Sequence, residues 1–177
     1  MTILPEKYRI TPLGKLAYGI AAAVAVADQL SKWLILNVVQ LPERQQILIA
    51  PPVFNLSMVW NHGVTFGMFR DSGEFGRWAL VAVAALVVLV LIGVARTAER
   101  WLVAAGLGLI LGGAIGNNLI DRVTIGAVAD FLDFSGIRVF GLNFPWVFNV
   151  ADIAIDAGIA CLAADILGLF QPATKKA

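Results

Sequence analysis

The chain has 177 residues, of which 59% are hydrophobic and only 14% are charged. Soluble domains of this size are nearer half apolar and a quarter charged, so we expect one integral membrane domain over residues 1–177. The formal net charge of +1 comes without a cluster of Lys and Arg, which argues against a nucleic-acid partner. The single Cys excludes a disulfide framework.

Four apolar stretches are long enough to cross a hydrocarbon core about 30 Å thick, which takes about 20 helical residues. They span about 13–36, 78–95, 101–120 and 146–170. We interpret the first as a retained span, because it is longer than the core of a signal peptide and contains Asp28 and Lys32. The predicted fold class is a mainly α membrane protein with four transmembrane helices.

The placement of Lys and Arg predicts the orientation of these helices. Basic residues lie in the N-terminal tail, in the short link between the second and third spans, and in the C-terminal tail. These three segments share one side, which the positive-inside rule makes cytoplasmic. The extracytoplasmic segments are then about 37–77 and 121–145. The first is rich in β-branched and aromatic residues and predicts a small β-rich segment between helices one and two.

A glycine series in the third span predicts close helix packing. Gly108, Gly112 and Gly116 are spaced four apart in GLGLILGGAIG, so they share one helix face. Small residues at this spacing allow the backbones of two membrane helices to approach each other.

The unusual polar residues converge on the outer third of the bilayer. Charged groups in a span cost at least a few kcal/mol unless they are paired or hydrated, so they are functional candidates by default. The group comprises Asp28, Lys32, Asn61, Asn117, Asn118, Asp121, Arg122, Asn149 and Asp152, with Asp130 and Asp133 expected in the loop before the fourth span.

Several of these positions have structural interpretations as well. Asp28 and Lys32 are four residues apart, and an internal ion pair that ties helix one to its neighbours is as well supported as a functional role. Asp156 lies one turn below Asp152, and we interpret it as a satisfied polar group of the core. Asp165 is interpreted as interfacial. His62 has no second His or Cys nearby, so no metal site is predicted.

The remaining chemistry is that of carboxylates, since no zinc-protease, Ser-triad, P-loop or dinucleotide motif occurs. Two Asp within about 3–5 Å cannot both ionise easily, so one holds a proton near neutral pH. The ionised acid can deprotonate water, and the protonated acid can polarise a carbonyl and later protonate a leaving amine. By position, Asp152 pairs with either Asp130 or Asp133.

Two other classes of function stay open at this point. A small proton-coupled transporter or channel would use its Asp residues as a relay, which should reach across the bilayer. A non-catalytic assembly partner would tolerate loss of the acids.

Five blocks of sequence resemble a known family. They are DQLSK (28–32), NHGVTFG (61–67), GNNLIDR (116–122), GAVADF (126–131) and FNVAD (148–152). In this order and spacing the chain resembles, from about residue 13 to 170, the lipoprotein signal peptidases, the signal peptidase II family of bacterial membrane aspartyl endopeptidases. The resemblance implies that Asp130 and Asp152 are the catalytic pair. The supporting positions that it implies are Asp28, Lys32, Asn61, Gly63, Asn118, Arg122, Asn149 and Ala151.

The third block departs from the family pattern. The usual block reads Gly-Asn-x-x-Asp-Arg, whereas a second Asn intervenes here. Counting back from Arg122 selects Asn118, and counting forward from Gly116 selects Asn117. We predict Asn118, because a spacing of four places it on the helix face of Arg122.

The resemblance also implies a substrate and a location. The substrate is a prolipoprotein whose Cys carries diacylglycerol, and cleavage before that Cys releases the signal peptide. We expect a monomer in the bacterial cytoplasmic (inner) membrane, in contact with membrane lipid, with both termini cytoplasmic and the active site near the outer face. No cofactor is implied.

Overall fold

The computed structural model describes residues 9–63, 73–139, 142–143 and 146–170, and it is mainly helical with a small antiparallel sheet. The helices are α1 (Pro12–Trp33), α2 (Leu41–Arg44), α3 (Gly73–Ala95), α4 (Trp101–Ala114), α5 (Arg122–Thr124) and α6 (Val150–Ile166). The strands are β1 (Gln46–Ala50), β2 (Phe54–Asn61), β3 (Val128–Asp133), β4 (Arg138–Val139), β5 (Leu142–Asn143) and β6 (Val147–Phe148).

Two of the helices continue through π-helical turns. Leu34–Val38 extends α1, and Ile115–Asp121, here called the π segment, joins α4 to α5. Three helical stretches of the described residues are long and apolar enough to cross a membrane, namely Pro12–Val38, Gly73–Ala95 and Trp101–Thr124. The stretch expected as a fourth span, 146–170, is not helical throughout: Val147–Phe148 form β6, and α6 runs from Val150 to Ile166.

The close packing predicted for the glycine series is present between α4 and α1. A Cβ built on Gly108 would lie 2.6 Å from the backbone carbonyl oxygen of Ala17, and one on Gly112 would lie 2.6 Å from that of Ala21. These distances leave no room for a side chain, so glycine allows the two helices to touch along their backbones. Helix α4 meets α6 in the same way through Gly106.

The sheet draws on both segments that the sequence placed outside the membrane. Its strand order is β1-β2-β3-β6, with every pair antiparallel, and β4 and β5 form a separate hairpin. The β structure predicted between helices one and two is present as β1 and β2. The prediction was incomplete, because it did not include β3 and β6, which come later in the chain. Asp130 and Asp133, expected in a loop, lie on strand β3.

A small apolar core joins this sheet to the end of the first helix. Ile35 of the π-helical extension, Leu41 of α2 and Phe131 of β3 are all buried together. Because Phe131 follows Asp130 directly, this contact fixes the strand that carries Asp130 over the same end of the helices as Asp28 and Lys32.

Candidate active site

The predicted acid pair comes from two different elements that Asn149 connects. Asp130 lies on β3, and Asp152 lies in the first turn of α6. The side-chain amide of Asn149 donates to Oδ1 of Asp130 at 2.6 Å, and its backbone N–H donates to Oδ2 of Asp152 at 3.0 Å. One residue thus holds an oxygen of each carboxylate, which brings the two acids to one site.

Helix capping is the local reason for this arrangement. Asn149 is the N-cap of α6, and its Oδ1 accepts from the backbone N–H of Asp152 at 3.0 Å. The reciprocal bond from Asn149 N–H to the Asp152 carboxylate completes a capping box, which satisfies N–H groups that the first turn of a helix leaves free. The cap holds the carboxylate of Asp152 at the helix N-terminus, where the helix dipole favours negative charge.

Strand alternation separates Asp133 from this site. Residues three apart on a strand point to opposite faces, so Asp133 faces away from the side of Asp130. Its carboxylate instead accepts from the Ser57 hydroxyl and, at 2.8 Å, from the backbone N–H of Ser135. Burial alone would raise the pKa of Asp133, but these hydrogen bonds outweigh it and lower that pKa. Of the two candidates, Asp130 is therefore the one that Asn149 connects to Asp152.

The surroundings of Asp130 favour its protonated form. Burial, followed by the negative charge of Asp152, raises the pKa of Asp130 from 3.8 to about 7. The Asn149 amide and the Asn61 amide, which donates at 3.3 Å, act in the opposite direction because they stabilise the carboxylate. Asp130 is thus poised to exchange a proton near neutral pH.

A buried cation lies beneath the acids. Lys32 is only 2% exposed, and its Nζ contacts Oδ2 of Asp28 at 2.8 Å, Oδ2 of Asp121 at 2.7 Å and Oδ1 of Asn117 at 2.6 Å. A buried ammonium is tolerated only when its charge and its N–H donors are satisfied, and here three oxygens do so. We call these four residues the Lys32 cluster.

The Lys32 cluster is tied to α6 at two points. Oδ1 of Asp28 accepts from the backbone N–H of Ala151 at 3.1 Å, and the amide of Asn117 donates to Oδ1 of Asp152 at 2.7 Å. Asn117 therefore bridges the lysine and the acid, accepting from one and donating to the other. The ion pair of Asp28 with Lys32, predicted from their spacing, is present and supports the position of Asp152.

Asn118, the predicted member of the asparagine pair, lies in a different set of contacts. Its Oδ1 accepts from Nε of Arg122 at 3.2 Å, so the shared helix face is as predicted. Arg122 also donates from Nη1 to the carbonyl of His62 at 3.3 Å and from Nη2 to that of Gly63. Of the two asparagines, Asn117 is thus the one whose amide donates to Asp152, and counting forward from Gly116 would have selected it.

The ten predicted site residues all fall within one connected region. Three further residues of that region lay outside the predicted set. Asn117 and Asp121 belong to the GNNLIDR block itself, which was the available signal, and Gln29 donates to Asp121 at 2.7 Å. Gln29 lies in the DQLSK block, which was the available signal for it.

A cavity of about 290 Å³ adjoins Asp152. It is lined by Asn61, Gly63, Asn117, Asn118, Arg122, Val128, Asp152, Ile155 and Asp156. Asp156 is exposed and lines this cavity, so its interpretation as a satisfied core group is wrong. The reason is the helix face: Ala154 and Gly158 point into the protein, whereas Asp152 and Asp156 share the face towards the cavity.

Comparison with known proteins identifies the family of the chain. The family described as signal peptidase (SPase) II matches residues 20–168. Lipoprotein signal peptidases of Caulobacter vibrioides and Nitrobacter hamburgensis are 47% and 44% identical to the chain; the alignments cover 88% and 94% of this chain, and 89% and 99% of the relatives. A solved bacterial membrane enzyme has the same fold, with a TM-score of 0.74 at 24% identity over 96% of this chain and 97% of that one. Because both the family match and the relatives extend over most of its length, the chain belongs to the signal peptidase II family of lipoprotein signal peptidases.

Proposed function

We propose that this chain is a membrane aspartyl endopeptidase that removes the signal peptide from diacylglyceryl-modified prolipoproteins. Cleavage occurs before the lipidated Cys, with Asp130 and Asp152 as the catalytic pair and a water molecule as the nucleophile. Asn149 carries the proposal, because its contacts at 2.6 Å and 3.0 Å hold both carboxylates at one site next to a cavity.

The two acids have distinct parts in the proposed reaction. Asp152, which accepts hydrogen bonds from the Asn117 amide and the Asn149 N–H, takes a proton from the attacking water. Asp130, whose pKa is raised to about 7, retains a proton and donates a hydrogen bond to the scissile carbonyl. When the tetrahedral intermediate collapses, the proton taken from water passes to the leaving amine as the C–N bond breaks.

The fold supports an active site at the outer face of the membrane. The sheet and the acids lie at the end of the helices away from the basic link of residues 96–100, and the apolar residues Leu48 and Ile49 of β1 are exposed. A lipid-anchored substrate would meet such a site at the level of its headgroups. We propose four spans, with α6 as the fourth, and a monomer whose termini face the cytoplasm.

The arrangement of acids gives less support to a proton relay. Asp28, Asp121, Asp130 and Asp152 gather at one end of the helices. At the other end, Asp165 forms an ion pair with Arg100 at 2.7 Å. A relay needs closely spaced groups across the whole bilayer. On α6, Asp156 is the single acid between Asp152 at one end and Asp165 at the other.

The dyad is tested with purified protein and a diacylglyceryl precursor peptide. We expect Asp130→Asn and Asp152→Asn each to lower turnover by about 10²–10⁴-fold, the usual contribution of a general acid or base. Asp133→Asn is the matched control, since this carboxylate lies on the same strand but faces away, and it should retain turnover. Near-normal turnover of either dyad variant would refute the assignment.

The substrate class is tested separately. The same peptide without its lipid should be cleaved much more slowly by the unaltered enzyme, because the lipid anchors the scissile bond at the depth of the acids. Equal cleavage of the two forms would contradict specificity for lipidated precursors. Loss of cleavage for both forms would contradict the peptidase assignment itself.

A further inference from the structure

Arg77 of α3 is a charged residue to which the site described so far gives no part. Its half-buried guanidinium reaches from the beginning of α3 to α5. Nε donates to the backbone carbonyl of Arg122 at 2.7 Å, and Nη2 donates to that of Val123 at 2.9 Å. One side chain of α3 thus holds two successive carbonyls at the end of the segment that carries the predicted site residues Asn118 and Arg122.

The helical segment that begins with α4 ends at Thr124 and leaves carbonyls to be capped. In a continuing α-helix the N–H of Gly126 would donate to the carbonyl of Arg122, but it donates to that of Asp121 at 3.1 Å instead. A cationic side chain can satisfy such carbonyls, and its charge suits the negative end of the helix dipole. Arg77 is therefore a C-terminal cap that a different helix supplies.

The capped end leads directly into the strand of Asp130. Gly126 has a φ of +89°, and β3 begins two residues later at Val128. The guanidinium lies against this turn, since a Cβ built on Gly126 would lie 3.6 Å from Cζ of Arg77. Arg77 thus contacts both the last helical residues and the turn that follows them, and so fixes the point at which the chain leaves the helix for β3.

The placement of β3 matters because the two acids come from different elements. Asp152 is held by the cap of its own helix, α6, whereas Asp130 is the third residue of β3 and depends on where that strand lies. Groups that act together in a reaction are sensitive to displacement, and a shift of about 1 Å caused by a distant substitution can cost about 100-fold in rate.

We propose that Arg77 is a positioning residue for the peptidase reaction: its two hydrogen bonds fix the exit from the helix and thereby place Asp130 relative to Asp152. The inference rests on the proposed peptidase function. The pair of bonds is specific to arginine, because a guanidinium presents its donors in a rigid fork, whereas the ammonium of lysine is a compact point charge. Lysine at this position would keep the charge and lose the fork.

The experiment measures kcat, KM and thermal unfolding of purified variants with a diacylglyceryl precursor peptide. Arg77→Gln removes the charge and the fork, and Arg77→Lys removes the fork alone. Glu74→Gln is the matched control, because it removes the ion pair with Arg77 at 3.2 Å and leaves both bonds to the carbonyls. Arg100→Gln is the control for stability, because it removes the ion pair with Asp165 at 2.7 Å, far from the acids.

We expect Arg77→Gln to lower kcat by about 10- to 100-fold with little change in KM, because the acids are displaced and the peptide still binds. Arg77→Lys should have a kcat between those of Arg77→Gln and the unaltered enzyme. Both controls should keep a normal kcat, even where Arg100→Gln lowers the unfolding temperature. If Arg77→Gln does not fold, the kcat of Arg77→Lys decides the test.

Three outcomes would overturn the inference: a normal kcat in the folded Arg77 variants, a raised KM with unchanged kcat, or an equal loss of kcat in Arg100→Gln. The second would indicate an effect on binding, and the third would indicate general instability. If the unaltered enzyme does not cleave the peptide, the proposed peptidase function fails instead, so the two failures are distinguishable.

Discussion

At the residue scale, the proton on Asp130 is set by opposing effects. Burial and the charge of Asp152 raise its pKa to about 7, whereas the amides of Asn61 and Asn149 lower that pKa. If Asp130 must be protonated to polarise the scissile carbonyl, kcat/KM should fall as the pH rises above about 7. The pKa read from this alkaline limb is that of the free enzyme, and it belongs to the coupled pair of acids and not to Asp130 alone.

Removal of Asn61 should move the alkaline limb in a defined direction. Its amide donates to Oδ2 of Asp130 at 3.3 Å and favours the ionised form. Asn61→Ala therefore raises the pKa of Asp130, and the limb of kcat/KM shifts to higher pH in a pH–rate profile. His62→Ala is the control, because this neighbouring side chain is exposed. A limb that stays in place or moves to lower pH in Asn61→Ala would contradict the stated role of Asn61.

The sequence located most of this site because polar residues are rare in so apolar a chain. Each block contributes side chains whose burial would be costly unless they met partners, and this cost is what made Asp28, Lys32 and Asp152 conspicuous. Position along the chain left Asp130 and Asp133 both open, and only the resemblance favoured Asp130. The physical difference between the two lies in strand β3, whose alternation turns them to opposite faces. Asp156 was misjudged because spacing along α6 does not reveal which face borders a cavity.

At the scale of elements, the π segment explains how the doubled asparagine is accommodated. The block has one residue more than the usual Gly-Asn-x-x-Asp-Arg pattern, and a π-helical turn holds one residue more than an α-helical turn. Asn117 can then reach Lys32 and Asp152 while Asn118 reaches Arg122. The argument from a spacing of four assumed a regular α-helix, and it therefore found only one of these two contacts.

The two asparagines should have unequal effects on turnover. Asn117→Ala removes a donor to Asp152 and an acceptor from Lys32, both charged, so we expect kcat to fall by about 10- to 100-fold with little change in KM. Asn118→Ala leaves Arg122 its two carbonyl partners, His62 and Gly63, and should lower kcat by about 10-fold or less. Thermal unfolding of both variants in detergent checks that each remains folded. A larger loss of kcat in Asn118→Ala than in Asn117→Ala would contradict the greater importance expected for Asn117.

The sheet is the element that the sequence predicted least completely. Alternation and β-branched residues indicated strands in residues 37–77, and β1 and β2 are there. Strand β3 is buried along almost its whole length, so its residues do not alternate between polar and apolar. Its pairing with β2 is a long-range contact that no local pattern encodes.

At the scale of the whole molecule, α6 is the helix that we propose as the fourth span. Hydropathy alone does not select α6, because it has 17 residues and contains three Asp. Two of these acids line the cavity, and Asp165 pairs with Arg100. The other exposed side chains of α6 are apolar: Ile153, Ile159 and Ile166 are 51%, 54% and 82% exposed. This distribution suits a helix that meets lipid on one side only.

Cysteine labelling tests the four-span topology directly. In a Cys161→Ser background, single cysteines replace the exposed residues Thr97, Leu169, Gln45 and Ser135. If α6 crosses the membrane, a membrane-impermeant maleimide added to intact spheroplasts labels Gln45→Cys and Ser135→Cys. Thr97→Cys and Leu169→Cys react only after permeabilisation, because the basic link and the end of α6 then share the cytoplasmic side. Labelling of Leu169→Cys from outside, with Thr97→Cys still protected, would mean that α6 does not cross.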